Sequence, residues 1–213
     1  MPLPPTEKRK QFELRALGLR EFAGVALDQA LDPFELARFA RLMVVDLDQI
    51  KGLSAESRSH LLGKGADEWS GGAGSQPLPN GWRIVILNPS HGIQRNRATL
   101  MEEVAHVFLG HKPNRLAAII DDNRAVASDS ATKRRGRMLA RDYNAADEEA
   151  AYAIGAAALV PYEALRLLVG EGRTASEVAR RFRVSNQLAE YRIKVTHLWA
   201  EYKRTSASRA QHV

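Results

Sequence analysis

The sequence predicts an α+β fold: a small, mostly antiparallel sheet packed on two helices, with further helices at the C-terminal end. Three stretches carry this reading. Trp82 to His111 runs strand, loop, helix; Ala145 to Val160 is an alanine-rich helical pattern stopped by Pro161; and Thr174 to Ile193 holds two helix starts about a dozen residues apart.

Composition narrows the class. The 213 residues suffice for one core, with or without an appendage, at the usual ~100–200 residues per domain. A content of 45% hydrophobic and 26% charged residues is that of a folded globular chain. The absence of cysteine excludes disulfides and every cysteine-ligated zinc or iron–sulfur site, and it suits a reducing compartment. The opening MPLPPTEKRKQFELR lacks the apolar segment of a signal peptide. Ala150 to Tyr162, the longest nearly uncharged apolar run, is shorter than the ~20 residues of a membrane span. A cytoplasmic chain without a membrane partner is the expectation.

Taken in order, residues 1–20 read as a basic, frayed lead-in, 21–168 as the main domain, and 169–213 as a helix-turn-helix-like segment. Asp32-Pro33 is a helix start, with the carboxylate as cap and proline at the first position. The β-rich Leu42–Ile50 follows as a strand, and Ser54 caps a short helix to Leu62. Gly71 to Gly81 reads as a loop or hairpin tip. Trp82–Leu87 is a strand, and Leu100, Val104, Val107 and Phe108 form the apolar stripe of the helix after it, near whose end Gly110 sits. Residues 115–120 and 138–143 suggest two more strands around a polar flap. In the last segment Ser176 and Ser185 are the expected caps, and Val178, Ala179, Phe182, Val184, Leu188 and Ile193 are expected to face inward.

The net charge of +6 raises the question of nucleic acid. Much of it is scattered as a solvated surface would be, but Arg180, Arg181, Arg183, Arg192 and Lys194 gather on the C-terminal helices, and contact there stays open.

The chemistry concentrates in Arg95–His111, RNRATLMEEVAHVFLGH. Metallohydrolases use H-E-x-x-H, in which two imidazoles one helical turn apart hold a metal and the Glu acts as base. Here Glu102, Glu103 and His106 occupy the three key positions, so the first imidazole is replaced by a carboxylate. Four residues make about 400° of rotation, so Glu102 and His106 point the same way within ~40° and can share one ion, which Glu103 would flank. A third ligand must come from elsewhere. The alanine-rich helix offers Glu148 and Glu149; Glu148 is preferred because Ala151, Gly155, Ala158 and Leu159 continue its inward face. The bland alternative is that two acids and a histidine at this spacing are solvated surface charge. His91, just before the motif helix, is a further candidate to replace the missing imidazole; His60 and His197 read as packing or surface residues.

Context favours the metal. The strand Ile84–Asn88, Arg95-x-Arg97-x-Thr-Leu, the motif, Leu109-Gly-His111 and the helix Glu148-Glu-Ala-Ala-Tyr to Leu159-Val-Pro161 together resemble the ImmA/IrrE family of metallopeptidases over about residues 30–165. The resemblance implies a zincin-like motif helix, Glu103 as general base, His106 and Glu148 as ligands, Glu102 in place of the first His ligand, and His111 in a structural role. It also implies a protein substrate, such as a transcriptional repressor, and one catalytic ion, Zn2+ in the usual site. Two carboxylates and one imidazole nearly neutralise a divalent cation, which weakens it as a Lewis acid and tilts preference towards Mn2+ or Fe2+. Two functions follow as expectations: a metal-dependent endopeptidase with reduced activity, and a non-catalytic regulator that binds DNA or a repressor through its C-terminal helices.

Overall fold

The computed structural model describes residues 1–50, 53–74, 76–111 and 144–210. The two strands expected near 115–120 and 138–143, and the flap between them, lie outside the described residues. The elements are α1 (Glu7–Phe22), α2 (Pro33–Phe39), β1 (Leu42–Val45), α3 (Ala55–Leu62), β2 (Gly71–Ala73), β3 (Arg83–Leu87), α4 (Ile93–Phe108), α5 (Ala145–Leu159), α6 (Tyr162–Gly170), α7 (Ala175–Phe182), α8 (Asn186–Val195) and α9 (Trp199–Ala210). The fold class is α+β, as the sequence predicts.

The sheet has the order β1-β3-β2. It is mixed rather than mostly antiparallel: β1 runs parallel to β3, from Leu42 opposite Arg83 to Val45 opposite Ile86, while β2 runs antiparallel, from Gly71 opposite Leu87 to Ala73 opposite Val85. A parallel pair needs a crossover, and the segment containing α3 provides one. The strand expected over 42–50 ends at Val45, where the chain turns into a short 3-10 helix, Leu47–Gln49. Part of the expected 71–81 loop is β2 itself.

Helix α4 contacts β2 and β3 on one side and α5 on another, and α5 in turn packs on α1. Leu100, Met101, Val104 and Ala105 of α4 are fully buried; Val107 and Phe108, expected in the same stripe, are 37% and 42% exposed. On α5, Ala151 and every residue from Ala153 to Leu159 are buried. No single helix among the described residues is long and apolar enough to cross a membrane.

Residues 1–20 are not a frayed lead-in. Helix α1 buries Ala16 and Leu19, and with them two charged residues, Glu13 and Arg20. The reason lies at the end of α5, where Pro161 stops the helix and leaves its last carbonyls without helical donors. Arg20 donates to Ala158 O (2.7 Å) and Gln29 O (2.7 Å), and also to Ala26 O. Arg192 of α8 donates to Val160 O (3.0 Å) and pairs with Glu13 (2.7 Å), whose other oxygen accepts from Tyr162 N. Burial lowers the Arg20 pKa to about 10, against the opposing pull of Asp28 and Glu13, so it stays charged.

The C-terminal helices share the same core. One buried cluster runs from Ala16 through Val104 and Ile154 to Phe182 and Ile193. Arg97 of α4 donates to Arg183 O (3.1 Å) in the α7–α8 turn and to Leu31 O (2.6 Å). All six positions expected to face inward on this pair are buried. Ser185 caps α8, but α7 starts two residues earlier than expected, at Thr174, which forms a reciprocal capping box with Glu177.

The Glu13–Arg192 pair is 2% and 3% exposed, so removing one partner strands the other charge. Glu13→Ala is expected to lower the unfolding free energy by about 3–5 kcal/mol, read from denaturant titration.

Candidate metal centre

Because α4 buries Leu100, Met101, Val104 and Ala105, its opposite face presents Thr99, Glu102, Glu103 and His106 to a cleft of ≈ 370 Å³. Helix α5 supplies the facing wall from its first turn. Asn144 caps that turn, accepting from Ala146 N and Asp147 N, and the helix dipole favours the carboxylates of Asp147 and Glu148 there.

Gly155 lets the two helices meet. A Cβ at that position would stand 3.2 Å from Met101 O and 3.3 Å from Glu102 N, tighter than an ordinary contact, so the glycine lets the α5 backbone lie directly on the α4 backbone at the motif without displacing it. Two turns earlier on the same face is Glu148, which points into the cleft. Glu149 points away and is held by Lys8 at 2.7 Å, which separates the two candidates left open by the sequence.

One ligand atom each from Glu102, His106 and Glu148 lies within 4.8 Å of the others. His106 Nε2 is 3.7 Å from Glu148 Oε2, while its Nδ1 stands 3.0 Å from His111 Nδ1. Glu103 lines the same cleft. His91 is outside it: both of its ring nitrogens are buried without a hydrogen bond in the loop before α4, near Arg95 and Asp67. His60 and His197 are exposed.

The electrostatics suit a cation. Burial, reinforced by Glu103 and Glu148, pushes the Glu102 carboxyl up to about 7; burial and then Glu148 push Glu103 up to about 7 as well. Burial holds the His106 imidazole below its usual range, against the opposing pull of Glu148, which favours the neutral ring that can donate a lone pair. Three carboxylates converging on one neutral imidazole repel one another unless a proton or a cation lies among them. The donor set therefore fits a divalent ion.

The cleft has apolar walls from Leu42, Leu47, Leu61, Trp69 and Ile86, and one side is the backbone of β2. Sequence reasoning missed β2, because Gly-Gly-Ala has little strand propensity. It also missed Asp147, whose position in the first turn of α5 is the signal that could have found it.

Residues 72–194, more than half of the chain, match the family model of the IrrE N-terminal-like domain. The chain belongs to this family. A search of curated proteins finds no match. Among solved structures, a Mycobacterium tuberculosis transcriptional regulator superposes on this IrrE-like chain with a TM-score of 0.49 and 15% identity. The match covers 86% of this chain and 46% of that one, so the IrrE-like chain spans less than half of the regulator's length.

Two outcomes follow from the geometry. Gly155→Val would drive a branched side chain into the α4 backbone and is expected to destabilise the protein by about 1–3 kcal/mol in denaturant unfolding. Glu102 has a folded pKa of about 7, above its ordinary 4.5, so its penalty is absent below about pH 4.5, grows as pH rises and is complete above about 7. Glu102→Gln in chelator-treated protein should therefore raise stability at about pH 8, by on the order of 1–3 kcal/mol, and leave it nearly unchanged at about pH 4.

Proposed function

We propose that the chain is a metal-dependent endopeptidase acting on a protein substrate. The observation that carries this reading is the convergence of Glu102, His106 and Glu148 with Glu103 in one cleft bordered by a strand edge. Glu102, His106 and Glu148 would hold the ion, Zn2+ or a harder Mn2+ or Fe2+. When bound, the ion supplies a Lewis acid that polarises a peptide carbonyl and acidifies a water molecule.

The protein's own residues do the rest. Glu103, with a proton affinity near neutrality, can take a proton from water and return it to the departing amine, which is the match a general base needs. Among the described residues β2 is paired on one side only, and its backbone lines the cleft, so an extended peptide can lie along it by strand addition. Leu47, Leu61, Trp69 and Ile86 favour an apolar substrate side chain beside the scissile bond. The ImmA/IrrE resemblance supports a regulatory protein, such as a transcriptional repressor, as substrate, and a chain without cysteine supports a cytoplasmic setting.

A second reading rests on a different observation. A hollow where the start of α4 meets α7 and α8 is lined by Arg180 and Arg183, with Arg97, which pairs with Asp32, at its floor; two basic side chains at one surface suit a non-catalytic regulator that contacts DNA phosphates.

The endopeptidase reading is tested with an unfolded protein substrate and added Zn2+ or Mn2+. Glu103→Gln should lose about 100-fold or more of the hydrolysis while keeping the ion, and Glu102→His should tighten Zn2+ binding. No anomalous signal at His106 after metal soaking, together with no metal-stimulated hydrolysis, would defeat it. DNA affinity that falls steeply with salt would then favour the regulator.

A further inference from the structure

Helix α4 ends in a closure that bears directly on its ligand histidine. Gly110 adopts a φ of +68°, its N–H donates to Val107 O (3.1 Å), and the N–H of His111 donates to His106 O (3.0 Å). This pair of bonds is the Schellman motif, which folds the second residue past the cap back over the third residue from the helix end. An apolar contact usually fills that juxtaposition. In this chain it brings together two imidazoles, with ring centroids 5.1 Å apart and planes at 67°.

The two rings are held at both ends by consecutive residues of α5. His111 Nε2 stands 3.5 Å from Asp147 Oδ1, and His106 Nε2 stands 3.7 Å from Glu148 Oε2; the histidine side chains are only 13% and 18% exposed. Between them the Nδ1 atoms approach to 3.0 Å, so one nitrogen must donate and the other accept. With a proton on His111 Nε2, the nitrogen facing Asp147, the neutral His111 ring has Nδ1 as its acceptor. The shared proton then belongs to His106 Nδ1, and the lone pair of His106 Nε2 faces Glu102 and Glu148. The opposite arrangement, with His106 Nε2–H towards Glu148 and His111 Nδ1 as the donor, leaves His106 no lone pair for a cation, and the tautomer of His106 tells the two apart.

We propose that His111, oriented by Asp147, is a positioning residue that fixes the tautomer and ring plane of His106, so that Nε2 is presented to the cation. The inference rests on the metal-site reading and deepens it. Such outer partners typically contribute about 10–100-fold in metal affinity. His111 would act through His106 and touch neither ion nor substrate.

The test combines two measurements on the full chain. Long-range 1H–15N NMR on chelator-treated protein reports the His106 tautomer, and calorimetry with Zn2+ and Mn2+ reports affinity. The wild type should show His106 protonated at Nδ1. His111→Phe keeps a flat ring but removes the acceptor; it should shift His106 towards the Nε2-protonated form and weaken both ions about 10–100-fold. His111→Asn retains an acceptor oxygen near the place of Nδ1 and should stay within about threefold of wild type. Asp147→Asn, a half-exposed change that leaves the core untouched, should shift the tautomer in the same direction as His111→Phe. A wild-type His106 protonated at Nε2, or a His111→Phe protein with unchanged tautomer and affinity, overturns the role of His111. Equal losses in His111→Phe and His111→Asn overturn it too. A wild type that binds neither ion overturns the metal reading itself, a result the tautomer measurement keeps separate.

Discussion

The backbone contact between α4 and α5 is the constraint on which the rest of the structure depends. At Gly155 the helices approach until a single methyl group would meet Met101 O at 3.2 Å, and the buried Ala151 and Ala158 lie on the same face of α5. Small side chains sacrifice hydrophobic area per residue, at roughly 25 cal/mol per Å² of apolar surface. In return the seam leaves little room to slide, because interiors packed at crystal-like density resist displacement. This rigidity matters because Glu148 and His106 sit on different helices. Their separation is set by a contact between main chains, and side-chain choice at the site leaves it unchanged.

A seam of alanines needs support from behind, and the charged residues of α1 and α8 supply it. Arg20 and Arg192 reach the carbonyls that Pro161 leaves unsatisfied at the end of α5, and Glu13 neutralises Arg192 inside the core. Burying charges is costly unless they are paired or hydrogen-bonded; Glu13 and Arg192 pair with each other, and Arg20 donates to three carbonyls while its Nε is left without a partner. The arrangement ties α1 and α8 to the helix that carries Glu148. The N-terminal helix, the metallopeptidase-like region and the C-terminal pair accordingly share a single core.

Which parts were legible in the sequence follows from the range of the interactions that make them. Local signals read well: the Asp32-Pro33 start, the Ser54 and Ser185 caps, the Gly110 ending and the α4 and α5 helices each follow from a few neighbouring residues. The inward face of α5 identified Glu148 as the residue pointing to the cleft, because helical periodicity carries that information. Non-local features did not read. Helix α1 was hidden because Glu13 and Arg20 look like surface charge until their partners, Tyr162 N–H and Arg192 for the one and the Ala158, Ala26 and Gln29 carbonyls for the other, are in place. Strand β2 was hidden because a Gly-Gly-Ala segment is a strand only by virtue of its pairing with β3. The parallel sense of β1 depends on a crossover, which alternation of side chains does not encode. Val107 and Phe108 obeyed the helical period yet lie outside the core, since a stripe two turns long can be only partly covered.

The replacement of an imidazole by Glu102 changes what the remaining imidazole must do. With two histidine ligands, an error in one ring's tautomer leaves a second nitrogen donor; with Glu102 and Glu148 as the other members, His106 is the single nitrogen of the set. Carboxylates offer two equivalent oxygens and tolerate rotation, whereas an imidazole offers one lone pair in one direction. In the proposed site the orientation of a cation's environment would therefore rest mainly on His106. It is this residue that the fold constrains from every side: the helix ladder fixes its backbone, the Gly110 closure brings His111 onto its Nδ1, and α5 places consecutive carboxylates at the two outer nitrogens. A site that has exchanged one nitrogen donor for charge gains most from rigid control of the donor it keeps.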